Sequence, residues 1–134
     1  MIFVDTGAFL ARYLEKDAHH RTAREGFRRI EKDGLPVVTS NHVLDETITL
    51  LGRWAGHRFA ADRARAIHAS RAFRILRPDE GDEVGALRQF ERFADQKVSY
   101  TDALSFVLMR KEKIREAFSF DRHFVLAGFA LWPA

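Results

Sequence analysis

Cysteine is absent from the 134 residues. That excludes disulfides and thiolate zinc sites, and it is the usage expected in a reducing cytoplasm. Proline occurs three times and glycine eight times, too rarely for a low-complexity or collagen-like chain. No apolar run approaches the roughly 20 residues of a membrane-spanning helix. Nor is a signal peptide legible, because Met1 leads into only Ile2, Phe3 and Val4 before Asp5. Internal repeats and linkers are also missing.

What is present is ordinary globular material. The hydrophobic share is 46% and the charged share 31%, which argues against disorder. The length suits one domain, residues 1–134, with a real core, and 12 phenylalanines should supply much of it. Net charge is +3, a mild basic bias. If the acids gather in one place, the remaining surface is more basic than this figure suggests, which would favour a polyanion.

Strand-like and helix-like segments alternate. Residues 2–5 read as a buried strand, 7–15 as a short helix, and 18–32 as an amphipathic helix with Ala23, Phe27 and Ile30 on one stripe. Gly34-Leu35-Pro36 breaks the chain before a strand at 37–39. Ser40 can cap a helix to about Trp54, Gly56 ends it, and another helix spans 57–70. A strand at 73–76 precedes a helix opened by Pro78 and Asp79 and reaching about Ala94. Ser99 or Thr101 caps the next helix, through Met109, and strands follow at 117–120 and 129–131. This alternation predicts an α/β fold with a central, mainly parallel sheet of four to five strands, covered on both faces. Ligands of such sheets bind beyond the carboxyl ends of the strands, where Asp5 and Asp121 fall.

Four acids stand where a water-soluble domain seldom places them. Asp5 closes the run Ile2-Phe3-Val4, and Asp121 follows Phe118-Ser119-Phe120. Glu46 shares a helical stripe with Val43, Leu50 and Trp54, while Asp45 points away toward solvent. Asp102 lies in the first turn of a helix apolar on most sides, above Phe106 and Met109. Singly, each has a plainer reading. A first-turn aspartate suits the positive end of a helix, and Glu46 could pair with an arginine. Together they would repel one another in a poorly hydrated place. A hard divalent cation, which prefers oxygen ligands, is the economical compensation.

Three other readings of Asp5 fail. Asp5-Thr6-Gly7-Ala8 spells the active-site tetrapeptide of aspartic proteases, but those are all-β with paired lobes, and this chain is mostly helical after residue 7. Haloacid-dehalogenase-like phosphatases need a second aspartate where Gly7 stands. Phosphate-accepting receiver domains need further acids beside the first strand, a central phosphorylated aspartate and a late lysine, none of which is evident.

The spaced pattern resembles the PIN-domain family, and within it the VapC-like ribonuclease toxins. Residues 2–6 (IFVDT), 40–47 (SNHVLDET), 99–103 (SYTDA) and 119–124 (SFDRHF) are similar to the family's four acidic motifs, in order, over essentially the whole chain. The resemblance implies a three-layer α/β/α sandwich and a metal-dependent endoribonuclease. Asp5, Glu46, Asp102 and Asp121 would hold Mg²⁺ or Mn²⁺, with Thr6 and Ser119 orienting carboxylates or water; Thr101 reads as a helix cap. It also implies a homodimer, and an antitoxin held against the early helices, for which Phe9, Leu10, Tyr13, Phe27 and Trp54 are candidates if they are not core. An RNA-processing nuclease of the same fold without an antitoxin, and a non-catalytic scaffold, are the alternatives.

Other polar residues carry less. His19 and His20 are adjacent on a helix and face different ways, so surface or capping roles are expected. His123 follows the fourth acid and could reach the substrate, with a solvated loop residue as the plainer reading. Arg63, Arg65, Arg71, Arg74 and Arg77, with Arg110, Lys111 and Lys113, read as solvated or helix-end cations, with RNA contact as the alternative. Trp54 and Trp132 are expected in core or interface.

Overall fold

Strands without a polar face belong in the middle of a sheet, and the first segment is such a strand. The computed structural model describes all residues, Met1–Ala134. Strand β1 (Ile2–Val4) is buried throughout. It is followed by α1 (Thr6–Tyr13), α2 (His20–Asp33), β2 (Val37–Ser40), α3 (Asn41–Ala55), α4 (His57–Ala69) and β3 (Phe73–Leu76). Then come α5 (Glu80–Arg92), a 3₁₀ turn at Ala94–Gln96, α6 (Tyr100–Lys111), β4 (Glu116–Phe118), α7 (His123–Leu126) and β5 (Ala130–Leu131). The strands form one sheet in the order β3-β2-β1-β4-β5, and every pairing is parallel.

The chain builds outward from β1 to β3, then crosses back to β4. By the right-handed crossover rule that reversal puts α5 and α6 on the face opposite α1–α4. Two aromatic groups fill the layers. Phe27 packs on Phe9 and on Phe118, and Trp132 meets Phe118. Phe106 of α6 meets Phe93, Phe124 and Phe129. Gly26 is required by this packing, because a Cβ there would come within 2.5 Å of the Phe118 ring.

Strand order reverses between β1 and β4, the place where open parallel sheets leave a crevice. The register sets Val4 opposite Phe118, so Asp5 and Ser119 emerge side by side at the carboxyl edge. The Asp5 N–H donates to the Phe118 carbonyl at 3.1 Å, fixing the ends of β1 and β4 to each other.

Ser40 caps α3 by accepting from the Val43 N–H at 3.1 Å, and Gly56 ends that helix at φ +96. At α6 the cap is Ser99, whose hydroxyl accepts from the Asp102 N–H at 3.1 Å; Thr101 is already helical. Strand β4 stops at Phe118 rather than Phe120, because the Ser119 hydroxyl takes the Asp121 N–H at 3.0 Å and turns the chain. The 3₁₀ turn and α7 were not foreseen. Trp132 is buried, whereas Trp54 is 57% exposed. The buried face of α3 is Val43, Leu44, Thr47 and Leu51, so the stripe through Glu46 runs along its edge and out of the core. Phe9, Leu10 and Phe27 are buried. No helix is long and apolar enough to cross a membrane.

Candidate active site

A cleft of about 570 Å³ opens at the carboxyl edge, and Asp5, Glu46, Asp102 and Asp121 all line it. Each arrives on a different element. Asp5 ends β1, Glu46 projects from the edge of the buried face of α3, Asp102 sits in the first turn of α6, and Asp121 follows the turn after β4.

Asp5 is 5% exposed. Its Oδ2 accepts from the Ser119 hydroxyl at 2.8 Å, and the nearby Thr6 backbone N–H favours its charged form. Because the same Ser119 oxygen accepts from the Asp121 N–H, its hydroxyl proton is directed at Asp5. Ser119 therefore ties two of the acids together. The Thr6 hydroxyl makes no such contact; it is buried and without a hydrogen-bond partner. Ser119, not the Thr6 hydroxyl, orients Asp5.

Asp102 and Asp121 gather around His123. Potential ligand atoms of these three fall within 4.8 Å of one another. His123 Nδ1 is 3.2 Å from Asp121 Oδ1 and 3.6 Å from Asp102 Oδ2, but neither contact has hydrogen-bond geometry. The His123 backbone N–H donates to Asp121 Oδ1 at 2.9 Å. The side chain of His123 is 27% exposed and forms part of the cleft wall, which corrects its reading as a solvated loop residue.

The electrostatics are those of uncompensated acids. Burial pushes the Asp102 carboxyl up to about 8, with Asp5, Asp121 and Glu46 adding repulsion. Burial also raises Asp5 to about 6, against the hydrogen bonds from Ser119 and Thr6 and with help from Glu46 and Asp121. No lysine or arginine forms an ion pair with any of the four, so the alternative of a Glu46–arginine bridge is not realised. Oxygen donors dominate the set, and the Thr6 hydroxyl is orphaned beside it. Such a cleft fits a hard divalent cation.

The basic residues noticed in the sequence are occupied elsewhere or lie away from the cleft. Arg65 pairs with Asp62, Arg74 with Glu112, and Lys111 with Asp79 and Asp82. Arg110 donates to Gln89 and to the Ala127 carbonyl. The cations that do line the cleft are Lys97 and Arg122, which sequence reasoning missed. Lys97 follows the 3₁₀ turn at φ +56, an uncommon conformation for a side chain with a Cβ. His20 Nδ1–H donates to the Ala11 carbonyl at 2.7 Å, a structural role, and His19 lies flat on Phe120.

Residues 2–130 match the PIN domain. The chain belongs to the PIN-domain family. Among relatives within it, the 23S rRNA-specific endonuclease VapC20 of Mycobacterium tuberculosis is 44% identical over 130 residues, covering 96% of this chain and 95% of the relative. A VapC ribonuclease of Archaeoglobus fulgidus is 32% identical over 126 residues, covering 92% and 78%. The crystal structure of M. tuberculosis VapC20, described as a sarcin-ricin loop cleaving toxin, superposes with a TM-score of 0.86 at 41% identity, over 97% of each chain. The PIN fold and the VapC-like membership implied by the four spaced motifs are thus both found.

Proposed function

We propose that this VapC-like PIN chain, as a single nuclease domain over residues 1–134, is a metal-dependent endoribonuclease and the toxin of a toxin–antitoxin pair. The observation that carries the reading is the gathering of four carboxylates, without a single arginine or lysine partner, in a cleft at the switch point of the sheet. Asp5, Asp102 and Asp121 would be the principal ligands of Mg²⁺ or Mn²⁺, with Glu46 ligating through water or acting as general base. A bound divalent cation supplies an activated water and neutralises charge on the phosphorane-like transition state.

The chain's own groups do the rest. Ser119 holds Asp5 in one orientation, so a ligand site there needs little reorganisation. Glu46 is half-buried and free of ion pairs, suited to taking a proton from the attacking water. Lys97 and Arg122 offer unpaired positive charge at the cleft, where the phosphates flanking the scissile bond would otherwise meet only acids. No side-chain nucleophile is needed, in keeping with a cleft that lacks cysteine.

The 44% identity to a 23S rRNA-specific endonuclease supports a loop of large-subunit ribosomal RNA as the target. The remaining partners follow from surfaces. Val84, Leu87 and Phe90 form an exposed apolar stripe on α5, suited to a homodimer contact. Trp54 with Tyr13 and Leu14 borders a hollow of about 440 Å³ that suits an apolar antitoxin segment. A cytoplasmic location is consistent with the cysteine-free composition. The test is incubation of the purified chain with ribosomal RNA and Mg²⁺ or Mn²⁺, followed by mapping of new 5′ ends. Discrete cuts that vanish in Asp5→Asn are expected; equal cutting by the variant overturns the reading.

A further inference from the structure

Beside the acidic cleft stands an aromatic stack that phosphodiester hydrolysis by itself does not require. Phe120 lies between Ser119 and Asp121 and lines the cleft. The His19 imidazole faces its ring with centroids 4.2 Å apart and planes inclined by 4°. On the inner side Phe118 meets Phe120 edge-on, at 6.2 Å and 70°. Phe118 is itself wedged between Phe27 at 4.9 Å and Trp132 at 5.0 Å. Phe120 is therefore backed by the core and cannot sink into it.

The main chain of His19 is fixed too. Its backbone N–H donates to Asp17 Oδ1 at 2.8 Å, and its carbonyl accepts from the Ala23 N–H at 2.9 Å. Yet His19 as a whole is exposed. Phe120 covers one face of its ring, which leaves the second face as the one a further ring could meet. The result is a flat π-surface, two rings deep, at the margin of the cleft: Phe120 lines the cleft between Ser119 and Asp121, and His19 extends the stack outward from it.

Sequence-specific RNA recognition mostly uses bases that are unpaired and splayed out, stacked on Phe, Tyr, Trp or His. A base in a duplex is already stacked on both faces and has none to offer. From this geometry we infer that His19 and Phe120 form a stacking shelf for one unpaired nucleobase next to the scissile phosphate, so that loop or single-stranded RNA is selected over duplex. The inference rests on the proposed RNA cleavage and adds a specificity determinant to it. His19 acts on substrate binding, and the carboxylates act on the chemistry.

The test compares wild type, His19→Ala and His19→Phe on a hairpin RNA carrying the sarcin–ricin loop sequence, with Mn²⁺. Loss of one base–aromatic stack should raise KM roughly ten-fold in His19→Ala. The kcat should stay within about two-fold, since the ring touches no reacting atom. His19→Phe, which keeps the flat surface, should restore KM. A hairpin with an abasic nucleotide beside the cut should be cleaved with equal KM by wild type and His19→Ala, because the shelf then has nothing to hold. An unchanged KM in His19→Ala, equal losses in both variants, or a His19→Ala penalty that persists on the abasic hairpin overturns the shelf while leaving the nuclease standing. A wild type that does not cut the hairpin removes the proposed target and the shelf together.

Discussion

Two clusters of acids in this protein look alike in sequence and differ in physics. At the start of α5, Asp79 and Asp82 form a reciprocal cap. The Asp82 N–H donates to Asp79 Oδ1 at 2.8 Å, and the Asp79 N–H to Asp82 Oδ2 at 3.0 Å. Lys111 then reaches both carboxylates, at 3.1 Å and 3.4 Å. The Asp82 backbone bond, followed by Lys111, holds Asp79 below the usual carboxylate range. At the cleft the opposite holds: burial and mutual repulsion drive Asp102 and Asp5 upward, and no lysine or arginine pairs with them. The first cluster stabilises a helix end. The second is a local defect in stability, of the kind kept at functional sites.

The sharpest break between the two is Asp5→Asn. It should lower Mn²⁺-dependent RNA cleavage by about 1,000-fold or more, some 4 kcal/mol of transition-state stabilisation. Far-UV circular dichroism should be unchanged, because Asn keeps the volume and can still accept from Ser119. Cleavage within a few-fold of wild type would move Asp5 out of the catalytic set.

Cation binding gives the next largest effect. A carboxyl raised in the folded state keeps its proton where the unfolded chain has lost it. Its stabilising contribution is full below the unfolded value of 3.8 and is lost as pH rises through about 6 for Asp5 and about 8 for Asp102. The metal-free protein should therefore melt higher at pH 5 than at pH 8.5, and Asp102→Asn should flatten that difference. Mn²⁺ at 100 times its Kd should add about 2.7 kcal/mol at pH 8.5 and far less at pH 5, where ligation must displace protons. Equal shifts at both pH values would argue that the cation binds elsewhere.

The structural cluster predicts a smaller and purely thermodynamic loss. Asp82→Ala removes one arm of the cap and the better of the Lys111 contacts, and should cost about 1 kcal/mol in chemical denaturation. Cleavage per folded molecule should not change. A catalytic defect there would erase the distinction between the clusters.

Much of this was legible in the chain because it rests on local chemistry. Asp5 ends an unbroken apolar strand, Ser40 and Asp79 are capping residues followed by helical stripes, and Gly56 stands where a helix must stop. Glu46 was recognisable because it interrupts an apolar stripe. The rest depends on where short irregular segments carry their side chains. His123 enters the cleft only because the Ser119 turn starts α7 early, and Lys97 only because a 3₁₀ turn ends in a left-handed residue. Trp54 shares the stripe of Val43, but the buried face of α3 has moved on to Leu51 by that turn. That the Thr6 hydroxyl bonds to no carboxylate was not legible, because strand-end sequence does not say which way a helix-starting side chain points.

The two clusters also divide the cations, and that division gives the smallest predicted effect. Lys111 is committed to Asp79 and Asp82, so its replacement should leave RNA affinity alone. Lys97 and Arg122 have no acidic partner and border the cleft. If each meets a phosphate, binding releases its counterion, and the slope of log Kd against log salt carries about 0.7 per contact on single-stranded RNA. In the cleavage-dead Asp5→Asn background, Lys97→Ala and Arg122→Ala should each lower that slope by about this amount and weaken binding several-fold at low salt. If the two meet separate phosphates, the double variant should lower the slope by the sum of the two single effects. A slope unchanged in the double variant, with Lys111→Ala changing it instead, would mean that the polyanion approaches along α5 and not across the cleft.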